Sequence, residues 1–282
     1  MGTVRLATVT APFDRDLRAC YARIERLVQQ ARDSGADLLA LPEAALGGYV
    51  ADLGGTAPMP PAFHVDGPEI ARLAAIAGDL VLTCGYCEQA DDGQRYNSAV
   101  CVTGDGVLGT YRKVHQPLRE GATYRAGNQF EAFDTPVGRI GMQICYDKAF
   151  PEAARALALD GAQVIVSMSA WPISATNPHP DPALDRWTRK FDLFDRARAV
   201  DNQVVWVASN QFGTFGSLRF AANAKIVDPA GEIVAATGQT ESMVTADFDL
   251  EAVLTAARAG MGHLRDRRPD SYTPHADNRI AV

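Results

Sequence analysis

Lysine is scarce in this chain. Only Lys113, Lys148, Lys190 and Lys225 stand among 27 basic residues, so arginine carries the ordinary surface charge and each lysine asks for a reason. Cysteine is sparse as well: Cys20, Cys84, Cys87, Cys101 and Cys145 form an odd, scattered set without the even, close spacing of a secreted disulfide scaffold. A reducing, cytoplasmic setting is expected. No run of about 18 apolar residues occurs, and the first strand begins at Val4 with no room for a charged n-region and an apolar h-region. Neither a membrane span nor an export signal is expected. Bases are outnumbered, 27 against 34 acids, for a formal charge of −7 with no block of like sign, which sets nucleic acid and anionic membranes aside as partners. His64, His115, His179, His263 and His275 never recur at the spacing of a metal pair, and H-E-x-x-H is absent. No metal and no cofactor are expected. G-x-S-x-G is also missing, which removes the common serine-hydrolase signal.

What is present reads as a soluble α/β protein. The 282 residues, 47% of them hydrophobic, are enough for a large buried core, and no linker or composition break divides 1–282 into separate domains. Val4 to Ala11 is alternating and β-branched, Asp14 to Ser34 carries apolar residues at helical spacing, and Ala36 to Ala40 is a buried strand running into Leu41-Pro42-Glu43. That opening is β-α-β, the unit of a layered α/β fold. A Gly/Pro-rich loop (Gly47 to Pro61) is followed by a helix over Pro68 to Gly78 and extended stretches at Leu80 to Glu88, Asn97 to Thr103 and Leu108 to His115. Gly138 to Tyr146 reads as a strand, Pro151 to Asp160 as a helix and Gln163 to Ala170 as a strand. A Pro-rich loop (Trp171 to Pro182), a long helix to Asn202, the strand Val204 to Asn210, shorter strands to Asp249 and a helix to Gly260 complete the pattern.

Two motifs mislead. Gly104-Asp105-Gly106-Val107-Leu108-Gly109 fits G-x-G-x-x-G, but it lies between two extended segments, where a hairpin turn on Asp105-Gly106 is expected instead of a dinucleotide loop. Cys84-Gly85-Tyr86-Cys87 has redox spacing, yet residues three apart in a strand face opposite sides, and structural thiols are expected.

Three other residues sit where chemistry is done. Cys145 ends an apolar strand directly before a helix opened by Pro151, and strand ends of α/β sheets are where ligands bind. Amides at that turn suit an oxyanion, and the positive end of the helix is expected to favour a thiolate. Glu43 ends a buried strand after Pro42, a costly place for a carboxylate unless it is paired or used. Lys113 follows Arg112 on the opposite face of an extended segment, and its compact ammonium suits an oxyanion site. Read singly, each has a bland alternative: a small core thiol, a helix cap or surface acid, and an edge-strand charge.

Together they resemble the Glu-Lys-Cys triad of the nitrilase superfamily of carbon–nitrogen hydrolases. Leu41-Pro42-Glu43, Tyr111-Arg112-Lys113-Val114-His115 and Cys145-Tyr146-Asp147-Lys148-Ala149-Phe150-Pro151-Glu152 stand in the family's order. Arg198-Ala199-Val200-Asp201-Asn202, Asp228-Pro229-x-Gly231 and Arg268-Pro269-Asp270-x-Tyr272 look like further family signatures, with Asp201 where relatives commonly have Glu. The resemblance implies a four-layer αββα sandwich, an eight-layer αββααββα homodimer with the tail at about 262–282 near the subunit interface, and a small-molecule amide as partner. It implies Glu43 as general base and acid, Cys145 as nucleophile, Lys113 in the oxyanion site and Glu120 as a second glutamate beside them. Nitrile-using members usually follow the cysteine with Trp-Glu, so Tyr146-Asp147 favours an amide, while N-carbamoyl substrates stay open. Relatives acting on ω-amides of dicarboxylates often read C-Y-D-x-R-F, and Ala149 in the arginine's place disfavours those substrates. Substrate contacts are expected from Tyr49, Tyr146, Trp171, Pro172 and His179, around a small aliphatic or aromatic primary amide.

Overall fold

The alternating N-terminal segment forms β1 (Val4–Ala11) and the helically spaced one forms α1 (Leu17–Asp33) in the computed structural model of the protein, which describes residues 2–51 and 58–272. Asp16 begins α1 by accepting from the backbone N–H groups of Arg18 and Ala19, and one stripe of the helix buries Tyr21, Ile24, Val28 and Ala31. The first half continues with β2 (Leu38–Ala40), α2 (Pro68–Ala77), β3 (Val81–Gln89), β4 (Arg95–Thr103) and β5 (Gly106–Arg112). The second half holds β6 (Ala132–Thr135), β7 (Gly138–Ile144), α3 (Pro151–Leu159), β8 (Val164–Ser169), α4 (Arg186–Asn202) and β9 (Val205–Gln211). The short pair β10 (Thr214–Phe215) and β11 (Leu218–Arg219) precedes β12 (Lys225–Val227), β13 (Ile233–Ala236), β14 (Ser242–Phe248) and α5 (Leu250–Arg258). Residues 52–57 of the Gly/Pro-rich loop, and the part of the expected interface tail beyond Tyr272 together with His275, lie outside the described residues.

Pairing arranges the larger strands as β14-β1-β2-β3-β4-β5 and β6-β7-β8-β9-β12-β13. The two sets join where the ends of β1 and β9 run parallel, at Thr10 with Asn210 and Ala11 with Gln211. Side-chain alternation then sorts the layers. Ala7, Val9, Leu39, Leu82 and Val100 pack with α1 and α2, whereas Leu6, Leu38, Ala40, Val81 and Ala99 belong to the cluster shared with the second sheet. That cluster extends through Ile140, Met142, Val164 and Val166 to Leu157 of α3 and Phe191 and Ala199 of α4. The order is helices, sheet, sheet, helices, which is the expected αββα sandwich. Both β2 and β7 end on one side of it, and that is what brings their C-terminal residues within reach of each other.

Local boundaries depart from expectation in three informative places. The hairpin turn falls on Gly104-Asp105, not Asp105-Gly106, because Thr103 pairs with Gly106 while the Gly104 N–H donates to the Gly78 carbonyl at 2.6 Å, pinning the turn to the end of α2. The strand expected through His115 stops at Arg112, and the one expected through Tyr146 stops at Ile144. In both cases the chain leaves the sheet just before a residue singled out above. Cys84 and Cys87 do face opposite sides of β3, in separate apolar clusters, and burial raises both thiols, Cys87 to about 12.

Candidate active site

Glu43 is placed by a loop laid against β3. Leu41 N–H donates to the Thr83 carbonyl and Leu46 N–H to the Gly85 carbonyl, each at 3.0 Å. Gly85 is the residue beneath: a Cβ there would stand 2.4 Å from Ala44 N and 2.7 Å from the Glu43 Cα, so only glycine admits this approach. The Glu43 side chain is fully buried, accepting from Ala170 N–H at 2.6 Å through Oε2 and from Asn97 Nδ2 at 2.7 Å through Oε1.

Lys113 follows β5 immediately. Its N–H donates to the Asn97 carbonyl and its own carbonyl accepts from Gly127 N–H, both at 2.8 Å. Gly127 is as constrained as Gly85, since a Cβ would fall 2.1 Å from the Arg112 carbonyl oxygen. Arg112 turns the other way to pair with Glu88 at 2.5 Å, so the expected division of the two cations between faces holds. The buried Lys113 Nζ lies 2.9 Å from Oε1 of both Glu43 and Glu120. Asn97 Nδ2 bridges the same two carboxylates, and the Tyr49 hydroxyl donates to Glu120. Glu120 opens a short 3₁₀ turn, Glu120–Ala122, and is itself buried.

Cys145 leaves β7 with φ 52°, a left-handed conformation that costs a non-glycine residue on the order of 1 kcal/mol. The turn Cys145–Ala149 holds it there. Asp147 organises that turn, accepting from Ile144 N–H at 3.0 Å, Tyr111 OH at 2.6 Å and His115 N–H at 2.9 Å. The His115 ring lies 2.8 Å from Asp147 through Nδ1 and stacks on Phe150 with centroids 3.6 Å apart.

The electrostatics correct one expectation. The helix end does not leave Cys145 a thiolate: burial, then the charges of Glu43 and Glu120, hold the thiol well above its usual range against the opposing pull of Lys113 and Lys148. Burial also works against the Lys113 ammonium, but Glu120 and Glu43 outweigh it and keep the amine firmly protonated. Glu120 is raised by burial, with Lys113 pulling the other way. The resting arrangement is thus a neutral thiol beside a protonated amine and two carboxyl groups, which suits proton transfer from sulfur to carboxylate when substrate arrives.

Cys145 lines a cavity of about 380 Å³ whose walls include Tyr146, Trp171 and Pro172. Two expected contacts fall elsewhere. His179 is exposed on its loop, where its N–H donates to Asp185 Oδ2 and its ring accepts from Asp181 N–H, each at 3.0 Å, so it shapes a turn and does not line the cavity. Tyr49 is buried, donates to the Glu120 carboxylate and is not among the residues lining the cavity. Sequence reading missed Asn97, although the β4–β5 register, with Ser98 opposite Arg112, sets it across from Lys113. It also missed Trp187, Lys190 and Phe194, whose i, i+3, i+7 spacing on α4 presents one helix face to the cavity. Among the described residues no group of His, Cys, Asp and Glu converges as a metal site, and no helix is long and apolar enough to cross a membrane.

Residues 5–258 match the family model described as carbon-nitrogen hydrolase. The chain is 34% identical to N-carbamoylputrescine amidase from Solanum tuberosum over 95% of its length and 94% of the relative's. It is 32% identical to omega-amidase NIT2 from Xenopus tropicalis, covering 91% of this chain and 90% of that one. In structure it superposes on a carbon-nitrogen hydrolase from Helicobacter pylori G27 with a TM-score of 0.81 at 24% identity, over 96% of this chain and 97% of that one.

Proposed function

This chain belongs to the carbon-nitrogen hydrolase family, in the nitrilase superfamily, and from that premise we propose that it is a thiol-dependent amidohydrolase converting a small primary amide to a carboxylic acid and ammonia. The observation that carries this reading is the convergence of buried Glu43, Lys113 and Glu120 on the strand ends beside Cys145, at the wall of a cavity of substrate size. Two carboxylates and an ammonium are costly to desolvate, and here they stand beside a thiol that lines a cavity.

In this mechanism Glu43 takes the Cys145 proton as sulfur attacks the amide carbonyl. The tetrahedral oxyanion is held by the Lys113 ammonium and the backbone N–H of Tyr146. Glu43 returns its proton to the departing nitrogen, releasing ammonia and leaving a thioester on Cys145. Glu43 then draws a proton from water, which adds to the thioester carbonyl, and acid leaves as the thiol is restored. Glu120 fixes Lys113, and Asn97 bridges the Glu120 and Glu43 carboxylates.

Ammonia release from a panel of amides, nitriles and carbamoyl compounds tests the proposal. Wild type is expected to release ammonia from amides, and Cys145→Ala and Lys113→Ala to lose at least about 10³-fold in rate; near wild-type rates in either variant overturn the mechanism. A second reading, hydrolysis of N-carbamoyl compounds, is favoured by the potato relative's name and is scored by the carbamoyl arm. Hydroxylamine in a parallel arm separates acyl transfer from hydrolysis. Absence of ammonia throughout, with Cys145 inert to thiol reagents, identifies a binding module. We also propose a homodimer that buries the outer helices, where Leu159 and Leu193 are 49% and 63% exposed. A monomer at micromolar concentration in sedimentation analysis removes that assignment.

A further inference from the structure

The four lysines separate by environment. Lys113, Lys148 and Lys225 are fully buried and each is paired with a carboxylate. Lys190 is the exception: it is exposed on α4, makes no salt bridge among the described residues, and lines the cavity that holds Cys145. The rest of that wall is apolar, aromatic or neutral, with Trp171, Trp187 and Phe194 prominent and no carboxylate. Exposed, this ammonium is partly screened by water, but it is the one formal charge among the residues lining the cavity, so the end group of an occupant meets it without a competing charge. An acyl chain can lie along the aromatic wall, but a cationic end group would meet Lys190 with nothing to compensate it.

We infer that Lys190 sets the charge of the accepted substrate, selecting amides whose acyl chain ends in a carboxylate and rejecting those that end in an amine. This rests on the amidohydrolase reading above and narrows its substrate class. It also reverses the expectation drawn from Ala149: the cation missing from the nucleophile turn is supplied from the facing helix. Ala149 itself lines the cavity, so its small side chain leaves room between that turn and α4.

The test is a matched series of primary amides of equal chain length ending in methyl, carboxylate or ammonium, with N-carbamoyl amino acids of similar length as a separate arm. Each is followed by ammonia release with wild type, Lys190→Gln and Lys190→Glu. The readout is the ratio of kcat/KM for the anionic over the neutral amide. It is expected at about fivefold or more in wild type, expressed in KM, near unity in Lys190→Gln and below unity in Lys190→Glu. A ratio that is the same in all three proteins, with the amides still hydrolysed, overturns the role of Lys190 and leaves the amidohydrolase reading standing. Failure of wild type to hydrolyse any amide or carbamoyl compound removes both. Preference for carboxylate-bearing carbamoyl compounds over carboxylate-bearing amides keeps the charge assignment and changes only the scissile group.

Discussion

Two buried charge clusters in this molecule are near mirror images. Beside Cys145, one lysine lies between two acids; on the buried face of α4, one acid lies between two lysines. Asp195 accepts from Lys148 Nζ at 2.5 Å and Trp206 Nε1 at 2.8 Å through Oδ1, and from Lys225 Nζ at 3.0 Å through Oδ2. The Phe191 ring sits 3.7 Å from one ammonium and 3.8 Å from the other. Here the carboxylate is the settled partner, while burial still lowers Lys148 against the pull of Asp195. Burial works against the Asp195 carboxylate, yet the two lysines outweigh it and hold the group below its usual range. In the Glu43–Lys113–Glu120 cluster the groups are left in tension instead: burial raises Glu120 and the neighbouring Cys145 thiol while Lys113 is held charged. Burial of charge is common to both, so it does not by itself mark a site. Cys145 feels Lys148 as well, so what distinguishes the first cluster is that it sets carboxylates, groups able to take a proton, beside the thiol.

The sharpest way to break this comparison is Lys113→Arg. A guanidinium keeps the charge but is larger and planar, and in a fully buried socket between two carboxylates it cannot place one compact donor at the oxyanion. Ammonia release is expected to fall about 10³-fold. A fully active variant would show that any cation suffices there.

Next in size is Asp195→Asn, which strips two buried ammonium groups of their counter-charge. The loss is expected at about 3–5 kcal/mol in urea unfolding, far beyond an ordinary surface change. Activity per folded molecule should fall much less than in Lys113→Arg. The reverse pattern, a stable protein with little activity, would make the second cluster part of the catalytic machinery. Because the folded Asp195 value is depressed, its contribution to stability is present at neutral pH and is lost only as pH falls below about 3.8 toward the folded value.

The two clusters were unequally legible in the sequence. Glu43, Lys113 and Cys145 could be named because each ends or adjoins a recognisable strand and carries a side chain out of place there; Glu120 needed the family resemblance. Lys148, Lys225 and Asp195 gave no such signal beyond the rarity of lysine, since Asp195 lies in α4, where an acid reads as a solvated face. Only tertiary packing reveals that this face, which Phe191 shares, is covered by Trp206 of β9 and by Lys148 and Lys225. The layered fold was legible from periodicity. The departures lie at Lys113 and Cys145, where the chain leaves the sheet early and Cys145 takes a left-handed φ, a choice that local propensity opposes and the Asp147 hydrogen bonds impose. His179 stood out because a histidine in a Pro-rich loop after a strand looks like a substrate contact; in the structure its ring accepts from Asp181 N–H within that loop.

Titration offers a gentler test of the same contrast. With the Cys145 thiol raised by burial and by Glu43, alkylation by iodoacetamide is expected to be slow at neutral pH and to keep accelerating above pH 9.0, the ordinary thiol value, as the thiolate population grows. A plateau below pH 8 would mean a resting thiolate, and would give Glu43 no proton to take. The four other cysteines are buried too, so the labelled site has to be located by peptide mapping.

The smallest expected effect distinguishes two places for one side chain. Sequence reading gave Tyr49 to the substrate, but its hydroxyl donates to Glu120, and it is not among the residues that line the cavity. Tyr49→Phe leaves the ring and removes only that donor, and a hydrogen bond to a charged acceptor contributes about 1.5–3 kcal/mol. Glu120 retains Lys113 and Asn97, so the loss is expected near the low end, as a fall of about tenfold in kcat with KM almost unchanged. A rise in KM at constant kcat would return Tyr49 to the substrate and open the cavity further toward Glu120 than its walls now suggest.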